Sequence, residues 1–339
     1  MKYLETFFNG YKGFAAYLWN DVTHPGWNSY FYWLILVSLF FFALEVSNPW
    51  RKEQPRFRKD FWLDFFYMFF NFFLFSLIIY NAFSDVVVTL IKDGMLALGV
   101  NMSEMNPLWS LPVWAVLLIG FVLRDFIQWW THRLLHRVSF LWEFHKVHHS
   151  VEQMGFAAHL RYHWMETIVY RTIEYLPLAF LIGLRLDQFF VIHIFTLAVG
   201  HFNHSNITVK GWIKGGVLGF LLGIVIGFGL GEVNLFANVG GMMSYIIVAI
   251  STLIGSIALG PIMKYLFNSP EMHIWHHAYE LPKNRKYGIN YGLTLAIWDY
   301  LFGTAEIPHD GRNIRLGFPG IEAYPKNFIG QVTSGFKGE

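Results

Sequence analysis

Long, almost uncharged apolar segments recur along this chain of 339 residues and constrain its fold more than any other feature. They cover residues 29–46, 61–80, 108–130, 168–184, 189–202, 216–235 and 240–262. A helix needs about 20 residues to cross the hydrocarbon core of a bilayer, which most of these segments approach. Only 14% of the residues are charged, against about 25% in a soluble domain. The pattern predicts an all-α, polytopic integral membrane helical bundle.

Composition excludes several other classes of protein. The formal net charge is only +2, whereas a nucleic-acid-binding protein typically carries a strongly basic surface. The chain has no cysteine, so disulfides, thiolate catalysis and Cys-ligated metal sites are excluded together. The first twenty residues lack the apolar run of a signal peptide. No GxGxxG motif opens a helix after a strand, so we expect reducing equivalents, if needed, to come from a separate protein.

Charge predicts the orientation of the spans. The loop after the first span carries five cations, Arg51, Lys52, Arg56, Arg58 and Lys59, whereas residues 84–107 offer only Lys92. By the positive-inside rule the first loop is cytoplasmic, and the third span then returns to the cytoplasmic side. Every histidine-rich segment is thereby predicted to face the cytoplasm.

Histidines cluster after the third apolar segment and again far downstream. His132 and His136 are spaced i, i+4, and two HxxHH patterns follow: His145, His148 and His149 in LWEFHKVHHS, and His273, His276 and His277 in SPEMHIWHH. Residues three and four apart share one face of a helix, so these imidazoles can converge on an ion. With 15 His in 339 residues, chance gives about 0.03 HxxHH matches. The pattern predicts metal ligands.

The number of histidines predicts two ions. A tetrahedral zinc takes about four ligands, fewer than these eight imidazoles. Ligand type alone admits zinc, iron or copper. The site is predicted where helices leave the bilayer, beside an apolar interior able to hold an acyl or sterol body. Oxidation of an unactivated C–H bond there needs dioxygen and a redox metal, which favours two irons.

The three histidine-rich segments, called histidine boxes below, carry His132 and His136, the first HxxHH pattern and the second HxxHH pattern. Together with NYGLTLAIWDYLFGT after the last box, they closely resemble the fatty acid hydroxylase/sterol desaturase superfamily of integral membrane di-iron oxygenases, over roughly residues 115–307. The resemblance implies hydroxylation or desaturation of a lipid with O2 and electrons from a separate donor protein. It carries the iron-ligand and catalytic role onto His132, His136, His145, His148, His149, His273, His276 and His277. It also makes His204, in HFNHSNI, a ninth metal ligand.

Several further residues are candidates beside the ligands. His201, at i, i+3 from His204, is predicted as a metal ligand, with hydrogen bonding to a ligand as the alternative. His163 lies in RYHWME, which resembles a family pattern although Trp164 replaces the usual Pro. Asp125, seven residues before His132, either orients a metal-bound imidazole or pairs with an arginine. Asp299 in WDYLFGT is placed beside the last box by the resemblance, and the other acidic candidates are Glu143, Glu166 and Glu271.

The predicted organisation has three parts. Residues 1–107 form an N-terminal membrane region with two transmembrane helices, residues 108–309 the hydroxylase-like catalytic domain, and residues 310–339 a cytoplasmic tail. Between His204 and His273 lie 68 residues, more than the family often has, and an extra hydrophobic hairpin at about 216–262 accounts for them.

Two other functions stay open at this point. A membrane zinc hydrolase needs a general-base carboxylate, but the chain has no HExxH motif. A metal-binding transporter or sensor without chemistry predicts ionisable residues along a path through the spans. Sterol, fatty acyl, carotenoid and ether lipids all fit an aromatic-lined pocket, so the sequence leaves the lipid substrate open.

Overall fold

The computed structural model describes residues 1–101, 108, 110–177, 186–224, 226 and 241–336. This part of the chain is helical and contains no β-strand, only two isolated bridges. The larger α-helices are α1 (Lys2–Thr23), α2 (Tyr30–Ser47), α3 (Phe61–Phe69), α4 (Asn81–Ala97), α5 (Val113–Arg137), α6 (Ser139–His149), α7 (Trp164–Pro177), α8 (Leu186–His204), α9 (Gly211–Ile224) and α10 (Gly241–Ile254). The short ones are α11 (Met263–Leu266), α12 (Pro270–His276), α13 (Ile297–Leu301) and α14 (Phe328–Val332). The predicted all-α fold is confirmed.

Three helices are long and apolar enough to cross a membrane: Tyr30–Ser47, Phe61–Ala97 and Val113–Arg137. They correspond to the first three predicted spans. The second is longer than the predicted 61–80, because α3 continues through two π-helical turns, Phe70–Leu74 and Ser76–Tyr80, into α4. At 1.5 Å per residue its 37 residues extend to roughly 55 Å, well beyond a hydrocarbon core of about 30 Å.

The later predicted spans are observed in part. Segment 168–184 begins within α7, but residues 178–185 lie outside the described part of the chain, and segment 189–202 lies within α8. Segment 216–235 begins within α9, and its continuation from 227 lies outside the described residues, as do residues 102–107 of the N-terminal region.

Helix α1 is a feature that the hydropathy pattern does not predict. It runs antiparallel along α4, with the Lys2 ammonium 2.7 Å from an Asp93 oxygen and the Phe7 and Phe83 rings 5.2 Å apart. The end of α1 meets the start of α2, where the Asp21 carboxylate accepts the Phe31 N–H at 3.0 Å. Since Asp93 lies far along the continuous helix, α1 and the end of α4 extend away from the histidine-bearing end.

The loop between the first two spans lies at the same end of the bundle as the histidines. The Trp50 N–H donates to the Asn206 carbonyl at 2.8 Å, and the Arg51 N–H donates to the Asn206 side-chain oxygen at 2.8 Å. Asn206 directly follows the histidine segment of α8. One Glu45 oxygen accepts the N–H groups of Phe156 and Asn206, at 2.8 and 2.7 Å. The cationic loop and the histidine segments therefore share one side.

Helices α9 and α10 pack as a hairpin through small residues. Gly215, Gly219 and Gly223 face Ser251 and Gly255 so closely that the two backbones are almost in contact. The outer faces expose large apolar side chains, among them Val217, Phe220, Leu253 and Ile257. Small residues at such an interface are typical of helix pairs in membranes. This is the region where the extra hydrophobic hairpin is predicted.

The C-terminal segment folds back onto the helices. The Val332 carbonyl accepts hydrogen bonds from the Trp164 indole N–H at 3.0 Å and from His163 Nε2 at 2.9 Å. Gln331 is fully buried and accepts from the Tyr67 hydroxyl at 3.1 Å. Through residue 336 the predicted tail is therefore part of the packed structure.

We expect Gly219→Val to destabilise the hairpin. A Cβ at this position lies 2.1 Å from the Ser251 carbonyl oxygen and 2.9 Å from the Gly255 Cα, so the helices must separate. Overpacking of this kind costs about 1–3 kcal/mol. The thermal unfolding midpoint of the purified protein in detergent should fall, whereas Val217→Leu, on the exposed face of the same helix, should leave it unchanged. Equal midpoints for the two variants contradict the backbone contact.

Candidate metal centre

Nine histidines converge in two buried groups. The first group is His132, His136, His145, His149 and His276, and the second is His148, His204, His273 and His277. Within each group one ring nitrogen from every residue lies within 4.8 Å of the others. All nine side chains are at most 8% exposed. The structure thus brings together the eight box histidines and His204.

Each HxxHH pattern is shared between the two groups. On α6, His145 and His149 face the first group and His148 faces the second. At α12 the division is reversed, because His273 and His277 face the second group and His276 the first. The i, i+4 pair of each helix therefore serves one group and the histidine between them the other. The two groups adjoin, with the His149 and His277 rings 4.4 Å apart.

Backbone carbonyls hold the rings of the first group. His132 Nδ1 donates to the Tyr291 carbonyl at 2.7 Å and His276 Nδ1 to the Ile289 carbonyl at 2.8 Å. His136 is hydrogen-bonded to the backbone of Tyr287. Residues 287, 289 and 291 thus present alternate backbone groups to three imidazoles. Gly288 and Asn290, both with positive φ (125° and 55°), give the segment this conformation.

Two rings of the second group are held in the same way. His148 Nδ1 donates to the Arg161 carbonyl at 3.0 Å and His204 Nδ1 to the Gly200 carbonyl at 2.8 Å. The Arg161 guanidinium is itself buried and bonds Asp64 at 3.1 Å and the Ser150 hydroxyl at 2.9 Å. Asp64 belongs to α3 and also pairs with Arg58. The second group is therefore tied to the start of a membrane-spanning helix.

The hydrogen bonds at Nδ1 decide what Nε2 can do. A carbonyl has no proton to give, so an imidazole bonded to it through Nδ1 carries its hydrogen there and leaves Nε2 as a bare lone pair. Such nitrogens nevertheless face each other, at 3.2 Å for His136 and His276 and 3.3 Å for His148 and His204. Burial lowers the pKa of His148 to about 4 and that of His276 well below its ordinary value, so protonation does not relieve the repulsion at neutral pH. A cation bound between the nitrogens does, and the donor set fits a metal ion.

Glu166 is the carboxylate that contacts a ligand candidate. Its Oε2 lies 2.8 Å from His145 Nδ1, on the side of the ring opposite Nε2. Burial raises the pKa of Glu166 well above its ordinary value, so an ionised carboxylate here needs a nearby positive charge. A metal ion on His145 Nε2 would supply that charge. Carboxylates in this position orient metal-binding imidazoles in many proteins.

Asp299 and Asp125 act on the backbone rather than on an imidazole. Asp299 accepts the N–H groups of Tyr291 and Gly292, at 2.9 and 2.7 Å, and thereby fixes the segment whose carbonyl holds His132. Asp125 accepts from the Leu295 N–H at 3.2 Å and from the Trp298 indole at 2.8 Å. Its carboxylate thus serves neither of the two predicted partners, an imidazole or an arginine. Arg124 pairs instead with Glu174.

His201 and His163 lie outside both groups. His201 Nε2 is 3.1 Å from the Ser38 hydroxyl, and its Nδ1 is 3.0 Å from Nδ1 of His159. Both ring nitrogens of His201 thus bond residues outside the two groups, so the structure shows neither the predicted ligand position nor the alternative hydrogen bond to a ligand, and its ligand role stays a prediction. His163 accepts the Met165 N–H at Nδ1, 3.1 Å away, and bonds the C-terminal segment through Nε2.

Sequence reasoning missed the backbone that holds the rings. Tyr287, Ile289 and Arg161 contribute main-chain atoms, so their side chains carry no signal of the role. The signal that exists lies in Gly288 and Asn290, since glycine and asparagine are the residues that tolerate positive φ. Glu166 was one of several acidic candidates, and Glu143 is instead a surface partner of Lys146, at 2.6 Å.

The family model for fatty acid hydroxylases matches residues 117–224 and 209–304, together more than half of the chain and including all nine clustered histidines. The chain belongs to the fatty acid hydroxylase family. The two matched parts overlap at residues 209–224, which are the start of the α9–α10 hairpin region. The predicted resemblance is thereby confirmed.

Three curated relatives have lipid substrates in their names. Ornithine lipid hydroxylase OlsE from Rhizobium tropici is 26% identical over 218 residues, which are 64% of this chain and 49% of that protein. Alkylglycerol monooxygenase from Xenopus tropicalis is 26% identical over 199 residues, 58% of this chain and 31% of that protein. The Homo sapiens enzyme of that name is 26% identical over 213 residues, which are 62% of this chain and 34% of that protein. The chain thus spans less than half the length of these relatives, and no solved structure matches it.

We expect Glu166→Gln to weaken metal binding without removing a ligand. Glutamine still offers an oxygen to His145 Nδ1 but no negative charge, and loss of such a partner lowers metal affinity about 10–100-fold. Metal retained per chain during dialysis against a graded chelator series measures the change. Glu143→Gln, at the surface on α6, is the matched control and should behave as the unmodified protein. Equal retention by both variants contradicts the role of Glu166.

We expect Gly288→Ala to disturb the first histidine group. Its Cβ lies 3.2 Å from His136 Nδ1 and 3.1 Å from the Tyr291 hydroxyl, at a φ that side chains rarely adopt. Gly303→Ala is the control for a side chain placed at a positive φ, since Gly303 has φ 66° and no neighbour within 4 Å of the added Cβ. Metal analysis should show fewer ions per chain for the Gly288 variant and a full complement for the Gly303 variant. Loss of metal in both variants attributes the effect to strain alone.

Proposed function

We propose that this protein is a membrane-bound oxidoreductase that hydroxylates a lipid, with two metal ions held by the nine clustered histidines. The observation that carries the proposal is the pairing of bare Nε2 nitrogens, about 3.2 Å apart in both groups, inside a buried region. Membership of the fatty acid hydroxylase family supports lipid oxidation as the activity. Two of the relatives are named for the oxidation of different lipids, as an ornithine lipid hydroxylase and an alkylglycerol monooxygenase, and these names support it as well.

Iron is the metal that we propose for both groups. Imidazole suits zinc, copper and iron alike, but oxidation of an unactivated C–H bond needs a metal that changes its redox state. When bound, two irons would supply the activation of dioxygen and the oxidation of the lipid. We propose that His132, His136, His145, His149 and His276 hold one ion, and His148, His204, His273 and His277 the other.

The protein's own residues perform three tasks in this proposal. Carbonyls of the 287–291 segment, Arg161 and Gly200 hold a proton on Nδ1 of their imidazoles, so that each Nε2 is free to bind. Glu166 orients His145 and balances positive charge. Burial of all nine rings excludes bulk water, which protects an oxidising site from side reactions.

The remaining elements of the proposal concern partners and sidedness. We propose a lipid substrate drawn from the bilayer, O2 as co-substrate and a separate protein as electron donor. The cationic loop at 48–60 lies at the histidine-bearing end, which supports a cytoplasmic location for that end by the positive-inside rule. Residues 108–309 are proposed as the catalytic domain. The alternative of a zinc hydrolase gains no support, because Glu166 faces Nδ1 of His145 and is not positioned as a general base toward Nε2.

Metal analysis combined with lipid mass spectrometry tests the function. The purified protein should bind two irons per chain, and its membranes should contain a lipid heavier by one oxygen that is missing from cells with an empty vector. His148→Ala and His276→Ala, one from each group, should each lose iron and product. His309→Ala removes an exposed histidine outside both groups and should keep both. Full product formation by either group variant, or product without iron, overturns the proposal.

A further inference from the structure

One face of α5 changes in polarity along its length, and none of the residues on this face belongs to the metal centre. Ile119, Val122, Phe126, Trp130, Arg133 and Arg137 follow one another at spacings of three or four residues, so they lie along one side of the helix. The face begins with aliphatic residues, continues with aromatic ones and ends with two arginines. Ile119, Val122 and Trp130 are exposed. The imidazoles of His132 and His136 are instead buried against the other histidines.

The apolar part of this face is a groove of about 480 Å³. Its lining residues are Leu118, Ile119, Val122, Leu123, Phe126 and Trp298. Trp298 forms a fixed side wall, because its indole N–H donates to Asp125 at 2.8 Å and its ring lies 4.8 Å from that of Phe126. The shape of the groove therefore depends on the buried Asp125, which holds the Trp298 indole.

The cations at this end of the face lie over aromatic rings. Arg133 lies over the rings of Trp129 and Trp130, at 5.2 and 5.1 Å, and Arg137 and Lys286 lie over the Tyr287 ring, at 5.5 and 5.2 Å. Among the residues that the structure describes, no carboxylate forms an ion pair with these three cations, and Arg133 Nε has no hydrogen-bond partner. The neighbouring Arg285, by contrast, pairs with Glu306 at 2.6 Å.

The position of the arginines along α5 matches the headgroup region of a bilayer. About 20 helical residues cross the hydrocarbon core, so a span that begins at Val113 reaches the polar boundary near Arg133. Trp130 then lies at the interface, where tryptophan is enriched, and Arg137 lies one turn beyond the boundary. Chain, interface and headgroup levels of the bilayer thus coincide with the aliphatic, aromatic and cationic parts of the face.

We propose that this face of α5 is a binding site for one membrane lipid with an anionic headgroup, whose acyl chain lies in the groove and whose charged group contacts Arg133, Arg137 and Lys286. Because these three cations form no ion pair with a described carboxylate, they favour binding of an anionic headgroup over a zwitterionic one. The site is separate from the histidine groups, since the buried Trp129 ring packs 4.7 Å from Phe302 and 6.4 Å from Tyr291, on the path to His136. The proposal therefore does not depend on the oxidation chemistry.

Lipid retention by the purified protein tests this site. The full chain is reconstituted in phosphatidylcholine nanodiscs that contain a minor fraction of phosphatidylglycerol, extracted into mild detergent and weighed by native mass spectrometry. About one phosphatidylglycerol per chain should remain. Arg133→Gln combined with Arg137→Gln should reduce retention at least tenfold, which corresponds to about 1.4 kcal/mol. Lys52→Gln combined with Arg56→Gln, two exposed cations in the first loop, is the matched control and should retain the lipid.

A second variant separates loss of the site from loss of the fold. Val122→Trp fills the groove and keeps both arginines, and it should also release phosphatidylglycerol while the metal content stays that of the unmodified protein. The proposal is overturned if the arginine variant retains the lipid, if phosphatidylcholine is retained equally well, or if the control pair loses as much as the arginine pair. Each of these results indicates annular lipid only.

Discussion

The repulsion between paired imidazole lone pairs is the constraint on which the centre depends. Carbonyl acceptors fix the proton on Nδ1 of His276, His148 and His204, and His136 bonds the Tyr287 backbone, so their Nε2 atoms meet as bare acceptors in a buried region. A cation turns this repulsion into a source of stability, because the binding energy of the ion becomes folding energy. The fold without metal has to hold these nitrogens together against their own electrostatics, which it does through buried hydrogen bonds at the far side of each ring.

Much of the remaining sequence can be understood as support for those hydrogen bonds. Asp299 holds the N–H groups of Tyr291 and Gly292, and Asn290 bonds the Met272 and Glu306 carbonyls at 2.9 and 2.7 Å. Together they fix the segment that carries the carbonyl acceptors. Arg161 does the equivalent for the second group, with its carbonyl on His148 and its guanidinium on Asp64 of α3. A buried arginine is costly unless it is paired, and here the ion pair with Asp64 also connects the membrane helix to the centre.

The sequence predicts those features whose signal is carried by side-chain periodicity. The three spans, the HxxHH helices and the gathering of eight histidines follow from hydropathy and from the spacing of three and four residues, whereas the ninth, His204, was implied by the family resemblance. The division of each HxxHH between two groups does not, because it depends on how α6 and α12 cross, and that angle is set by the loops and by α8. The seven-residue spacing of Asp125 and His132 correctly predicts a shared helix face, yet it says nothing of the partner that the carboxylate meets, which is the 294–298 backbone and Trp298. Helix α1 was missed because its stability comes from packing on α4 and not from its own hydropathy.

The reciprocal division determines how two ions, one in each group, would depend on each other. Helix α6 gives His145 and His149 to one group and His148 to the other, and the α12 region reverses the pattern. An ion bound in either group would therefore restrain the rotation of both helices about their axes. Since residues three and four apart lie on one face, the restraint that orders His145 and His149 also orders His148. Only α5 and α8 contribute to a single group, His132 and His136 to the first and His204 to the second. The two groups are thus coupled through α6 and the α12 region, which both groups share. Each group also takes ligands from one helix that the other does not use, so the surroundings of its ligands can differ from those of the other group.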